Sequence, residues 1–140
     1  MRQDLTRRSA LMLATCVLAG ASGCTDAMPR DAQGTLRRAE GGRLYVGASE
    51  NSPWTDVADD GSVSGLEADI IEDYAASIDA TVEWTTGAMS VLARKMKNDE
   101  LDLVIGGLTA DTPWSDKISP TRPYQVARAE DGSKQKMVIG

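Results

Sequence analysis

Leu101-Asp102-Leu103-Val104-Ile105-Gly106-Gly107-Leu108-Thr109 decides how this chain is read. Leu103, Val104 and Ile105 form a short unbroken apolar run, the pattern of a strand buried on both faces. The run stops at two glycines, where the missing Cβ lets another group come close to the backbone N–H and C=O. Thr109 adds a hydroxyl just beyond. Ligands of an open α/β sheet sit outside the carboxyl ends of its strands. Gly106, Gly107 and Thr109 therefore stand where a small molecule would bind. Taken alone, the stretch also fits an ordinary strand ending in an ordinary turn.

Upstream, Arg43 to Ala48 reads as a first strand, and Ser49 to Trp54 as a loop whose turn is preset by Pro53. Trp54 is either a core plug or a ligand platform, and aromatics mostly bury. Asp59-Asp60-Gly61-Ser62 signals a turn. A helix begins near Leu66, with Leu66, Ile70, Ile71, Tyr74, Ala75 and Ile78 three and four apart on one expected inward face. Glu67, Asp69, Glu72 and Asp73 fall in its early turns, where carboxylates complement the helix dipole. Ala80 to Thr85 reads as a strand. Met89 to Asn98 reads as a helix with Met89, Leu92, Ala93 and Met96 inward and Arg94, Lys95 and Lys97 outward. Strand, helix, strand, helix, strand predicts an α/β fold with a parallel sheet and right-handed crossovers. Downstream lie a polar loop with Trp114, a stiff stretch between Pro120 and Pro123, Tyr124, a strand over Gln125–Ala129, a turn at Glu130–Ser133 and a strand over Gln135–Ile139.

The whole chain has 140 residues, enough for one domain, with 15 basic and 21 acidic side chains. A net charge of -6 argues against a nucleic-acid partner. There is no His, so no imidazole serves as general base or metal ligand. With Cys16 and Cys24 both early in the chain, a zinc site is not expected, and neither is any cofactor.

Residues 1–23 read as an export signal: Arg2, Arg7 and Arg8, then an apolar core too short for a typical spanning helix. Ala19-Gly20-Ala21-Ser22-Gly23-Cys24 resembles a lipoprotein signal in which Cys24 is lipidated, although Ala21 stands where Leu is usual. Thr6-Arg7-Arg8-Ser9-Ala10-Leu11 also resembles a twin-arginine signal; a plain cleaved signal is the alternative. Losing the leader leaves the remainder more acidic. Residues 24–42 read as a tether with a possible helical turn at Thr35–Ala39, and 43–140 as the folded part.

Four pieces, in order and at fitting spacing, carry a family resemblance: Ser52-Pro53-Trp54, Gly65-Leu66-Glu67-Ala68-Asp69, Glu100 to Thr109, and Pro123-Tyr124. Over Arg43–Tyr124 the chain resembles the first lobe of the extracytoplasmic solute-binding proteins, family 3, that feed amino-acid-type ABC transporters. The resemblance implies a three-layer parallel-sheet lobe of the type 2 periplasmic binding protein fold. It implies a tethered binding protein outside the cytoplasmic membrane, working with a permease or as a sensor, and not an enzyme. It also implies ligand contacts at Trp54, Gly107 and Thr109, with Met89 as a further wall. Where typical members carry an Arg that clamps the ligand carboxylate, this chain has Trp114, which has one donor and no charge. Trp54 and Trp114 facing one cleft suit a flat or cationic ligand, and Asp111 adds negative charge. The expected ligand is small, polar or cationic, and amino-acid-like without being an ordinary α-amino acid.

Such receptors close two lobes on the ligand. The second lobe is missing here, so the chain is expected to be a single-lobe variant or a truncated reading frame. One lobe buries one side of a ligand, so affinity is weak unless a partner or second copy supplies the other wall. A missing final strand would leave an unpaired sheet edge. Two alternatives stand beside the receptor: an enzyme of the same fold, dehydratase-like, with Glu50, Asp69 and Asp111 as candidate acids, and a half-receptor that binds nothing.

Overall fold

A computed structural model describes residues 31–140. The expected export signal, the lipidation site Cys24 and the start of the tether lie outside the described residues. The elements in chain order are α1 (Thr35–Ala39), β1 (Arg43–Ala48), β2 (Asp56–Val57), β3 (Val63–Ser64), α2 (Leu66–Ser77), β4 (Thr81–Thr86), α3 (Met89–Lys97), β5 (Leu103–Ile105), β6 (Gln125–Arg128) and β7 (Lys134–Met137).

β1 is the middle strand of a parallel sheet of order β4-β1-β5, with Val46 opposite Trp84 on one side and Leu103 on the other. Side-chain alternation along β1 builds two cores. Leu44, Val46 and Ala48 point to one face, where they meet Ala68, Ile71 and Ala75 of α2 and Ile105 of β5. On the other face Leu92 and Ala93 of α3 pack with Leu101 and Val104. Gly47 leaves the room this needs: a Cβ there would lie 2.8 Å from Leu101 Cδ1 and 3.2 Å from Leu92 Cδ2. The result is the expected three layers, helix, sheet, helix, and each fully buried aliphatic side chain contributes about 1.5–3 kcal/mol.

Two points differ from the sequence expectation. The inward face of α2 is rotated by about one residue. Glu67, Ala68, Ile71 and Ala75 are buried, whereas Leu66 is 44% exposed and Tyr74 42% exposed. The stripes 66-70-74 and 67-71-75 are neighbours on a helix; the expected face drew on both, and Ile71 and Ala75 are buried as expected while Leu66 and Tyr74 are not. Second, the edge of β5 is covered. Val104 and Gly140 exchange N–H···O bonds of 2.8 and 3.0 Å, Val138 N–H donates to Leu108 C=O at 3.0 Å, and Ala110 N–H donates to Lys136 C=O at 2.9 Å. Residues 136–140 thus run antiparallel along β5 and the segment after it.

The two hairpins, β2–β3 and β6–β7, turn at Asp60-Gly61-Ser62 and Asp131-Gly132-Ser133. In both, the aspartate accepts from the serine N–H, at 2.9 and 2.8 Å, and the glycine takes a positive φ, 83° and 81°. The serine hydroxyl, and then its N–H, hold both carboxyls below the usual carboxylate range.

Gly65 has a stronger reason to be glycine. Its φ is 103°, and a Cβ would lie 2.7 Å from the Trp54 carbonyl oxygen. That carbonyl accepts the Glu67 N–H at 3.0 Å, satisfying the start of α2, which has no side-chain cap. Gly65→Ala is expected to cost about 2 kcal/mol or more, from positive φ plus a backbone clash, against about 1 kcal/mol for Gly61→Ala, whose Cβ meets nothing. Urea midpoints of the two variants measure the difference, and equal midpoints would contradict it.

Candidate functional site

The site is built where β5 ends. Gly106 and Gly107 have φ of 144° and 67°, so their N–H groups converge on one point. The side chain of Glu67 fills that point. Glu67 is completely buried. Its Oε2 accepts the N–H of Gly106 and of Gly107, both at 2.9 Å, and the Thr55 hydroxyl at 2.6 Å. Its Oε1 accepts the Tyr124 hydroxyl at 2.6 Å. No cation pairs with Glu67 among the described residues. Four donors replace the water it has lost, which a buried carboxylate requires. A structural place near the α2 dipole suffices for Asp69, Glu72 and Asp73, which are exposed, but not for Glu67.

The close approach that the glycines allow is likewise made by the chain itself. A Cβ on Gly106 would lie 2.7 Å from Ser49 Cβ and 2.9 Å from Met89 Cε. A Cβ on Gly107 would lie 1.4 Å from Asn51 Nδ2, which donates to the Gly106 carbonyl at 3.2 Å. Three groups at the turn stay unspent. Among the described residues, the Gly107 carbonyl accepts no hydrogen bond, and neither the N–H nor the hydroxyl of Thr109 donates one. Thr109 bridges Met137 at a position whose neighbours, Leu108 and Ala110, carry the pairing bonds, so its own N–H points away from that partner.

The other expected site residues are spread around this turn. Met89, the first residue of α3, is half-buried on the second core beside Gly106. Trp54 is half-buried and stands outside both core clusters. Trp114 packs on the second core, and Lys117 Nζ lies 5.8 Å from its ring centroid, so the chain's own cation already occupies that indole. Asp111 is exposed. Among the described residues no group of three or more His, Cys, Asp or Glu is arranged to hold a metal ion. Sequence reasoning assigned no role to Thr55, Tyr124 or Asn51 and misread Glu67. The available signal was the spacing of Glu67 with Ile71, Ala75 and Ile78, an acid on the buried stripe.

The chain matches the family model of bacterial extracellular solute-binding proteins, family 3, over residues 44–133. Among solved structures it is similar to the Phe57Trp mutant of arginine-bound domain 1 from TmArgBP, at 19% identity and TM-score 0.62, over 75% of this chain and 82% of that one. It is similar to an ancestral cyclohexadienyl dehydratase at 25% identity and TM-score 0.57, over 64% of this chain and 38% of that one. A Salmonella typhimurium periplasmic binding protein with high arginine specificity matches at 21% identity and TM-score 0.54, over 61% and 38%. The chain thus spans most of the one-domain structure and well under half of the other two. No curated protein sequence matches it.

Burial, then the hydrogen bond and charge of Glu67, push the Tyr124 phenol above its ordinary range. The fold therefore holds that proton more tightly than the unfolded chain, whose tyrosines titrate near about 10. The contribution is complete below that pH and is lost as pH rises above it. Urea midpoints measured upward from pH 8 should fall beyond about pH 10, with a shallower fall in Tyr124→Phe; identical slopes would contradict the contact.

Proposed function

The chain belongs to the bacterial extracellular solute-binding proteins, family 3, and from that premise we propose that it binds a small polar or cationic, amino-acid-like solute outside the cytoplasmic membrane. The observation that carries this reading is the set of unspent groups at the end of β5: the Gly107 carbonyl and the N–H and hydroxyl of Thr109. Polar backbone groups in a folded lobe seek partners, and this trio offers one acceptor and two donors to a ligand head group. Met89 borders the turn at Gly106, and in this reading Trp54 and Asp111 contact the same solute. Trp114 takes the place of the arginine that the family resemblance leads one to expect, so no guanidinium clamps a carboxylate. An amine is then favoured over an acidic solute.

The same reading makes Cys24 a lipid anchor and an ABC permease the downstream partner. Several structural neighbours bind arginine or lysine by their descriptions, which supports a cationic solute. The dehydratase alternative has a neighbour of that name but no site to match. Glu50 accepts the Val57 N–H, and Asp69 and Asp111 stand exposed on separate elements. General acid–base work needs such groups together in reach of one substrate.

Calorimetric titration of the exported chain with L-arginine, L-lysine, agmatine, putrescine, L-glutamate and L-glutamine tests the ligand class. The expected result is saturable binding of cationic members. Tight glutamate or glutamine binding without amine binding would overturn the ligand class, and silence across the panel would overturn the receptor. In the same cells the chain should sediment with membranes, and Cys24→Ser should release it; membrane association that survives Cys24→Ser would rule out the anchor.

A further inference from the structure

The hairpin β6–β7 carries a charge pattern that solute binding leaves unused. Its register sets Val126 opposite Lys136 and Arg128 opposite Lys134. Directly opposed residues of an antiparallel pair share a face, and side chains two apart along a strand return to it. Val126, Arg128, Lys134 and Lys136 therefore stand on one face of the ribbon, and all four are exposed. None of these three cations is in an ion pair among the described residues. Of the two acids at the tip, Asp131 is turned onto the Ser133 N–H at 2.8 Å. The ribbon is tied at both ends: Ala129 N–H donates to Ser133 C=O and Tyr124 N–H to Met137 C=O, each at 3.0 Å. A chain of net charge -6 thus holds out a basic strip.

Arg128 and Lys134 set like against like. Such a pair destabilises an isolated ribbon, and an anionic surface laid over it removes the repulsion. The lysines also oppose the simplest self-pairing, strand edge to strand edge, which would bring two sets of cations together. The surface that fits is acidic, and the chain itself has one on α2. Leu66, Asp69 and Asp73 follow one another at spacings of three and four, with Tyr74 beside them, on the side turned away from the core. All four are exposed, and neither aspartate is in an ion pair among the described residues. Asp69 lies in the first turn, where the helix dipole favours it; Asp73 lies a turn deeper, and like charges four apart repel. The two patches match in spacing as well as in sign. Opposed residues of an antiparallel pair stand about 5 Å apart, and helix residues four apart about 5–6 Å.

We propose that this ribbon is an interaction surface for a second copy of the chain, with Arg128 and Lys134 of one copy seated on Asp69 and Asp73 of the other. Val126 then covers apolar surface at Leu66 and Tyr74. Each copy carries both patches, so a two-fold pair makes the contact twice. Opposite charge sets the register of the contact and makes it salt-sensitive.

Sedimentation equilibrium of the full exported chain tests this, with Cys24→Ser in every sample so that no lipid drives association. The background chain should form a dimer at low salt and dissociate at least about tenfold more readily in about 1 M salt, where the Debye length is about 3 Å. Arg128→Glu with Lys134→Glu should leave a monomer, and so should Asp69→Lys with Asp73→Lys. An equal mixture of those two variants should regain the dimer, because each supplies the patch the other has reversed. Urea midpoints check that the variants fold; if a reversal does not, Arg128→Gln with Lys134→Gln reads the same loss. A background chain that stays monomeric, a dimer that survives both reversals, or a mixture that regains nothing from folded variants would overturn the proposal. A monomer that binds phosphatidylglycerol vesicles through Arg128 and Lys134 would overturn it too, and would give the ribbon to a membrane surface. The solute titrations stand apart from each of these outcomes.

Discussion

One buried carboxylate organises the end of this sheet. Glu67 leaves α2 at its first turn and crosses under the loop to the two glycines that end β5. There it takes four hydrogen bonds from three separate places in the sequence: Thr55, the Gly106-Gly107 pair and Tyr124. Its oxygens tie together the loop after β1, the helix after β3, the turn after β5 and the segment before β6. Hydrogen bonds to an ionised acceptor are about twice as strong as neutral ones. Without the carboxylate, the buried Thr55 hydroxyl would have nothing to accept it, at a cost of about 1–3 kcal/mol, and the half-buried glycine N–H groups and Tyr124 hydroxyl would lose their acceptor. Hydrophobic burial builds the layers, but this polar knot decides how the loops above them are aimed.

Most of the layered architecture was legible in the sequence, because it rests on periodicity. The apolar alternation of β1, the run Leu103–Ile105 and the spacing of Leu92, Ala93 and Met96 each have one good structural solution. The Asp-Gly-Ser turns were legible for the same reason: only glycine tolerates the positive φ, and only a short acid reaches the serine N–H. The face of α2 was misread because hydropathy cannot see a polar residue that brings its own partners. Leu66 and Tyr74 scored as core and are exposed, while Glu67 scored as surface and is buried. Its partners lie 12 to 57 positions away, a distance no local pattern spans. The covering of β5 by residues 136–140 is likewise a long-range pairing, and the strand signal over Gln135–Ile139 gave no hint of its neighbour.

The glycine pair changes meaning once Glu67 is in view. From sequence, glycines at a strand end leave backbone N–H and C=O groups open to a ligand. In the fold both glycine N–H groups face the Glu67 carboxylate, Asn51 takes the Gly106 carbonyl, and the Gly107 carbonyl stays open among the described residues. Trp114 packs on the second core with Lys117 over its ring, whereas Trp54 stands outside both core clusters.

Amide hydrogen exchange at the turn probes the knot most directly. If Glu67 holds both glycines, the Gly106 and Gly107 amides exchange as slowly as Val104 in β5, while the neighbouring Thr109 amide, which has no partner among the described residues, exchanges quickly. In Glu67→Gln the two glycines should lose protection while Val46 and Val104 keep theirs. Gly106 and Gly107 amides that exchange in the wild-type chain as fast as Thr109 would contradict the account.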